Sequence, residues 1–281
     1  MSRNCIIILT VITMLAFAGN TLFCRMALAL TAIDAASFTT IRLISGAATL
    51  WLIVTLFRGH KSGRGSWRSA ASLFAYAILY SYAYVTLPAA MGALLLFGAV
   101  QATMIGYGIS KGERLHGWQI VGLVLALGGL VGLLLPGLTA PPLIGSTLML
   151  ASGVAWGIYS LRGKGAGDAT RITAGNFLRA VPMAAVVSLI TLEGATLDSA
   201  GIAYAVASGA LASGIGYAIW YSVLPALKAA SASTVQLSVP VITALGGVLF
   251  LGEAVTLRLV LASVAILGGD CVGDNEGAVK G

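Results

Sequence analysis

The chain has 281 residues, 58% of them hydrophobic and 9% charged, with a mean hydropathy of +0.97; a soluble domain carries about a quarter charged residues. A water-facing globule is excluded, and lipid is the expected solvent. Sixteen Lys and Arg against nine Asp and Glu give a net charge of +7, which the placement of the basic residues explains without nucleic acid.

A crossing helix needs about 20 mostly apolar residues. Such stretches run in chain order at 5–30, 35–57, 67–86, 89–110, 116–136, 142–162, 173–192, 200–224, 227–251 and 256–273. The breaks between them include "FRGHKSGRGSWR" (57–68), "SKGERLHG" (110–117), "PGLTAPP" (136–142) and "RGKGAGDATR" (162–171). The expected fold is therefore an all-α membrane protein of ten transmembrane helices, with no soluble domain. Arg3, an apolar run and "AFA" at 16–18 imitate a signal peptide. The apolar run continues to about Ala32, so this first stretch is read as retained.

Basic residues gather in cytoplasmic loops of membrane proteins. With the N-terminus inside, the cytoplasmic breaks hold Arg58, Lys61, Arg64 and Arg68, then Lys111 and Arg114, then Arg162, Lys164 and Arg171, then Lys228. Arg3 and Lys280 bring the inside total to twelve, against Arg25 and Arg258 outside. Both termini are expected in the cytoplasm, and the membrane is expected to be a bacterial inner membrane. Cys5, Cys24 and Cys271 show no metal-binding spacing and read as inert thiols.

Shifting the sequence by 137 residues brings Arg25 onto Arg162, Arg42 onto Arg179, Tyr80 onto Tyr217, Tyr84 onto Tyr221 and Leu87-Pro88 onto Leu224-Pro225. A further three-residue insertion brings Gly112-Glu113 onto Gly252-Glu253. Residues 1–137 and 142–281 thus read as two copies of five helices. Five is odd, so the second copy enters the bilayer from the opposite side, giving two inverted five-helix repeats. Secondary transporters use this architecture and hold substrate near the midplane between the halves.

"GERLHGWQIVGLVLALGGLVGLL" (112–134) and "PVITALGGVLFLGEAVTLRLVLASVAILGG" (240–269) resemble the closing helices of the two EamA domains of the drug/metabolite transporter superfamily. In that family a proline-bearing helix ends in Gly-Glu and a glycine-bearing helix follows. The resemblance covers both halves, with one departure: Pro240 keeps the family proline, while the matching first-half position is Thr103. The aromatic third and eighth stretches look most like bacterial amino-acid exporters of the YddG kind. The resemblance implies export of amino acids, with the substrate and membrane lipids as partners and a monomer as the simplest assembly.

The tyrosines in "YAILYSYAYVTLP" (76–88) recur every four residues and share a helix face. Tyr80 lies about seven residues from the end of its stretch, roughly 10 Å deep, and Tyr217 is equally deep from the other side. A phenol hydroxyl facing lipid would lack a partner. Tyr80, Tyr84, Tyr217 and Tyr221, with Trp220 and Tyr76 as weaker members, should therefore face the bundle interior. They either fill core space or line a substrate cavity. Trp156 and Tyr159 add aromatic area, and Asn20, Gln101 and Gln236 place amides mid-membrane, as interhelical glue or as substrate ligands. Arg42 and Arg179 lie about seven residues into their helices. They either snorkel or, from alternating sides, contact a substrate carboxylate or stabilise closed gates; Asn176 lies one turn before Arg179. Pro88, Pro225 and Pro240 are expected to start or kink helices.

"GIYSLRGKG" (157–165) has five residues between Gly157 and Gly163, and Lys164 precedes Gly165, so it is no phosphate loop. No HExxH, GxSxG or His–carboxylate cluster occurs, and the only histidines are His60 and His116. The sequence thus predicts a carrier without cofactor or metal rather than an enzyme, working by alternating access on a small organic molecule. An amino acid with an aromatic or apolar side chain is the leading expectation. A nucleoside, a sugar or a channel-like pathway is the alternative.

Overall fold

The computed structural model describes residues 2–57, 64–112, 117–135, 140–163, 168–227, 235–236 and 238–274, without the side chains of 118, 119, 126 and 269–274. Glu113, His60, His116, Cys271 and the basic residues at 58, 61, 114, 164, 228 and 280 lie outside that description. Among the described residues all regular structure is helical: α1 (Arg3–Leu30), α2 (Ala35–Phe57), α3 (Trp67–Tyr84), α4 (Ala89–Ser110), α5 (Gly117–Leu134), α6 (Leu143–Gly163) and α7 (Ala169–Ile190). Then come α8 (Ser199–Val206), a π-helical stretch (Ala207–Ile215) and α9 (Gly216–Val223) in one continuous rod, followed by α10 (Ser238–Leu251) and α11 (Leu257–Asp274).

Helices follow from the solvent, because in lipid a segment must close its backbone hydrogen bonds internally. Their starts are set by short polar side chains that accept from first-turn N–H groups. Ser2, Ser66, Asp168 and Asp198 do this for α1, α3, α7 and α8. Asp34 does it for α2, accepting from Ala36 and Ser37. The seventh helix was expected from residue 173 and begins at Ala169, since Asp168 captures the N–H groups of Thr170 and Arg171. Pro182 sits inside α7, a helix-interior proline that the span pattern hid.

Six helical segments among the described residues are long and apolar enough to cross a bilayer: α1, α2, α4, α6, α7 and the Ser199–Ala226 rod. The protein wears its apolar side chains outside, with Trp51, Leu52, Phe57, Leu189, Leu249 and Val264 exposed. Asn20, Thr39, Arg42, Ser81, Ser152 and Thr243 are buried inside. A greasy surface, with the membrane-depth polar side chains kept inside, is the arrangement lipid selects.

Packing partners occur in pairs related by the sequence repeat. Helix α2 lies along α7, and α5 along α11, each helix meeting its own repeat mate. Helix α3 lies on α6, and the repeat mates of those two, the Ser199–Ala226 rod and α1, lie on each other. Around this frame Phe38, Leu43, Tyr80, Tyr84 and Phe177 form the most deeply buried layer.

Candidate functional site

Because α3 repeats tyrosine every fourth residue, Tyr76, Tyr80 and Tyr84 stack up one face, and all three are buried. Their ring centroids are 5.3 Å apart from Tyr76 to Tyr80 and 4.7 Å apart from Tyr80 to Tyr84. The row continues across helices: Tyr76 lies 4.7 Å from Trp156 on α6, and Trp156 stacks on Tyr217 of α9 at 5.8 Å and 19°. Tyr159 lies 5.3 Å from Trp156, Phe177 6.1 Å from Tyr217, and Phe17 5.6 Å from Tyr217. Tyr221 is half-buried at 6.4 Å from Tyr217. Trp220 is also buried but joins a second cluster with Met14, Ala18 and Val239. The rings therefore face protein rather than lipid and form one chain from α3 through α6 to α9.

The hydroxyls are tied by residues on three other elements. Asn20 of α1 donates from Nδ2 to Tyr80 Oη at 3.3 Å and to Tyr76 Oη at 3.5 Å. Its Oδ1 accepts from Ser208 Oγ of the π-helical stretch at 2.7 Å. Thr21 Oγ1 and Tyr80 Oη share a 2.8 Å hydrogen bond, and Tyr84 Oη donates to the Ala89 carbonyl at 3.3 Å. On the other side Asn176 Nδ2 donates to Tyr159 Oη at 3.4 Å, while its Oδ1 accepts the Ser66 N–H at 2.9 Å. Sequence reasoning ranked Tyr76 low and missed Thr21 and Ser208. The four-residue spacing was the available signal for Tyr76. Ser208 had none, because it depends on the π-helical geometry.

Arg42 departs most from expectation. A snorkelling arginine would reach the helix end; Arg42 instead folds inward from α2 and is 1% exposed. Its guanidinium carbon lies 5.4 Å from the Tyr76 ring centre and 5.3 Å from that of Tyr80, and Nη2 donates to Tyr76 Oη at 3.3 Å. Its Nε and Nη1 have no acceptor among the described residues. Cation–π contact supplies about 0.5–2 kcal/mol per cation, whereas burying an ion costs several kcal/mol. The site therefore holds undercompensated positive charge. Its repeat mate Arg179 does snorkel: Nη1 donates to the Gly175 carbonyl at 2.8 Å and to the Arg64 carbonyl, with the guanidinium 6.0 Å from the Trp67 ring centre. The two arginines thus differ: Arg42 is central, and Arg179 ties α7 to the segment ahead of α3, where Asn176 also binds.

The Gly-Glu motif has a mechanical role at the end of α10. Gly252 has φ +64°, a left-handed conformation open to glycine. It turns the chain so that the Glu253 carboxylate accepts the Ala89 N–H at 2.8 and 3.0 Å, capping α4 just after Pro88. Arg25 Nε meets the same carboxylate at 3.2 Å, and Arg25 Nη1 donates to the Tyr84 and Val85 carbonyls at 2.9 and 3.2 Å. A cavity of about 370 Å³ adjoins this junction, bounded by Arg25, Pro88, Met91, Pro142, Ala244 and Glu253. This cavity lies at the Tyr84 end of the phenol row. Pro225 sits in the 3-10 turn that ends the eighth rod, and Pro240 in the first turn of α10. Of the three mid-membrane amides Asn20 is buried, whereas Gln101 and Gln236 are half-buried.

Comparison with known proteins places this geometry. The EamA-like transporter family matches residues 143–272. An uncharacterized protein of Pseudomonas aeruginosa is 57% identical over 264 residues, spanning 94% of this chain and 92% of its own. A crystal structure of a protein 20% identical in sequence superposes with a TM-score of 0.70 over the full length of both chains, so the two share a fold.

Proposed function

We propose, from the match of residues 143–272 to the EamA-like transporter family, that this chain is an integral membrane carrier of small molecules, an alternating-access exporter whose substrate sits on the phenol chain. The two halves, 1–137 and 142–281, act as inverted five-helix repeats with both termini cytoplasmic, in a bacterial inner membrane. The pairing of α2 with α7 and α5 with α11 supports this, since a two-fold axis makes repeat mates meet. The substrate is a small organic molecule with an aromatic or apolar body, best matched by an amino acid of that kind. One observation carries the proposal: rings from α3, α6 and α9, contributed by both halves, meet in a single buried chain. Rocking one half against the other would separate Tyr76 from Trp156 and open a slot between aromatic faces.

Counterflow in proteoliposomes with a panel of amino acids, sugars and nucleosides tests this. Saturable, competable flux of an aromatic or apolar amino acid is expected, lowered severalfold by Tyr80→Phe and by Tyr217→Leu at unchanged yield of folded protein. Flux linear in concentration would refute a carrier. Preference for a sugar or nucleoside would refute the substrate class. Wild-type flux in both variants would reduce the tyrosines to packing.

A further inference from the structure

The phenol chain contains one feature that neither packing nor an apolar substrate explains: the guanidinium of Arg42. Three of its five N–H groups, one on Nε and two on Nη1, point at no acceptor among the described residues. The described acidic side chains are engaged elsewhere or lie at the helix ends. Asp34, Asp168 and Asp198 cap helices, Glu253 binds Arg25 and the start of α4, and Glu193 sits exposed in the turn after α7. Glu253 is paired with Arg25 at 3.2 Å. Tyr76 Oη accepts from both Arg42 Nη2 and Asn20 Nδ2, so its own proton points away from both and has no acceptor among the described residues. A cluster of donors without an acceptor, lodged among aromatic faces, is the complement of an anion joined to an apolar body.

We propose that the transported molecule carries a carboxylate, and that Arg42, aided by the Tyr76 hydroxyl, binds it beside the rings of Tyr76 and Tyr80. This deepens the reading of the phenol chain as the substrate site and rests on it. The charge is matched one to one. Arg25 is committed to Glu253 and to the carbonyls ending α3, and Arg179 to the Arg64 and Gly175 carbonyls. A phosphate dianion would need a second cation, and a neutral sugar or nucleoside would leave the guanidinium as poorly compensated as it is alone. Arg42 therefore selects one singly charged anionic group, that of a zwitterion included, and the rings select what is attached to it.

The test uses the full chain in lipid nanodiscs, with thermal unfolding as readout and two probes that differ in charge, phenylacetate and the neutral phenylacetamide, beside phenyl phosphate. Phenylacetate is expected to raise the wild-type unfolding midpoint saturably, with an apparent affinity at least about tenfold better than phenylacetamide. Arg42→Met, which fills similar volume, is expected to unfold no earlier than wild type without ligand and to lose the phenylacetate response. Arg42→Lys is expected to keep a weakened response, and it carries the test should the methionine variant fail to fold. Equal protection of wild type by acid and amide would overturn the carboxylate assignment and leave the aromatic site standing. Protection by neither would overturn both. A stronger effect of phenyl phosphate would overturn the single-charge assignment. An unliganded Arg42→Met that unfolds early yet still responds to phenylacetate would make Arg42 structural.

Discussion

Glu253→Gln removes one charge from a junction that joins four segments. The carboxylate accepts the Ala89 N–H that starts α4 and meets Arg25 of α1, which in turn holds the carbonyls at the end of α3. Hydrogen bonds to a charged group contribute about 1.5–3 kcal/mol each, and an anion at a helix N-terminus adds about 0.3–1 kcal/mol. The side chains of Arg25 and Glu253 are 18% and 15% exposed, so screening trims these terms only in part. A glutamine keeps one acceptor oxygen but turns its amide donors toward Arg25 or the Ala89 N–H, themselves donors. A net loss of about 2 kcal/mol follows, which is roughly a 30-fold shift between closed and open junction. Two measurements check it: unfolding free energy in bicelles, and labelling of Ala244→Cys in the adjoining cavity by a membrane-impermeant maleimide, which should accelerate in the Glu253→Gln background. Unfolding within about 0.5 kcal/mol of wild type together with unchanged labelling would show that the junction holds nothing.

Two further outcomes test the helix contacts and the loops. A Cβ on Gly209 would lie 2.0 Å from Ser45 Oγ and 2.1 Å from the Arg42 carbonyl oxygen, while one on Gly128 would meet nothing within 4 Å; Gly209→Ala should therefore cost about 1–3 kcal/mol or more and Gly128→Ala almost nothing, as read from unfolding midpoints. Asp34 lies between α1 and α2, where burial opposes its ionisation, but the N–H groups of Ser37, Thr196 and Ala36 outweigh that and hold its carboxyl below the ordinary 3.8. Its folded form gives up the proton more readily than the unfolded chain, so its contribution is complete above about pH 4 and fades as pH falls through the lowered value. Melting curves from pH 6 to pH 3 should show wild type losing its advantage over Asp34→Asn in that acidic window, and parallel curves would refute the ionic role.

Helix positions were legible wherever the sequence carries hard stops. Helix α4 spans Ala89–Ser110 as expected, because Pro88 blocks its start and Gly112, at φ +88°, terminates it. The start of α7 was hidden because a capping aspartate resembles loop polarity when hydropathy alone is read. Burial of the α3 tyrosines followed from their spacing, since that face is fixed by helix geometry. Arg42 and Arg179 show what spacing cannot reveal. They occupy equivalent positions in the repeat, yet one finds aromatic rings and the other a loop carbonyl. Which partner each meets depends on side chains from other helices, and Thr103 standing where the repeat would supply a second Pro240 already marks the halves as unequal.

The wide-turn stretch Ala207–Ile215 controls the azimuth of everything beyond it. In an α-helix one residue gained or lost rotates the following segment by about 100°, and π-helical turns hold more residues than α turns. Tightening this alanine-, glycine- and serine-rich stretch would swing Tyr217 off the face of Trp156 and release Ser208 from Asn20. Helix α3 is α-helical from Trp67 to Tyr84 and has no such stretch, so the aromatic ladder joins one regular rail to one with a built-in swivel.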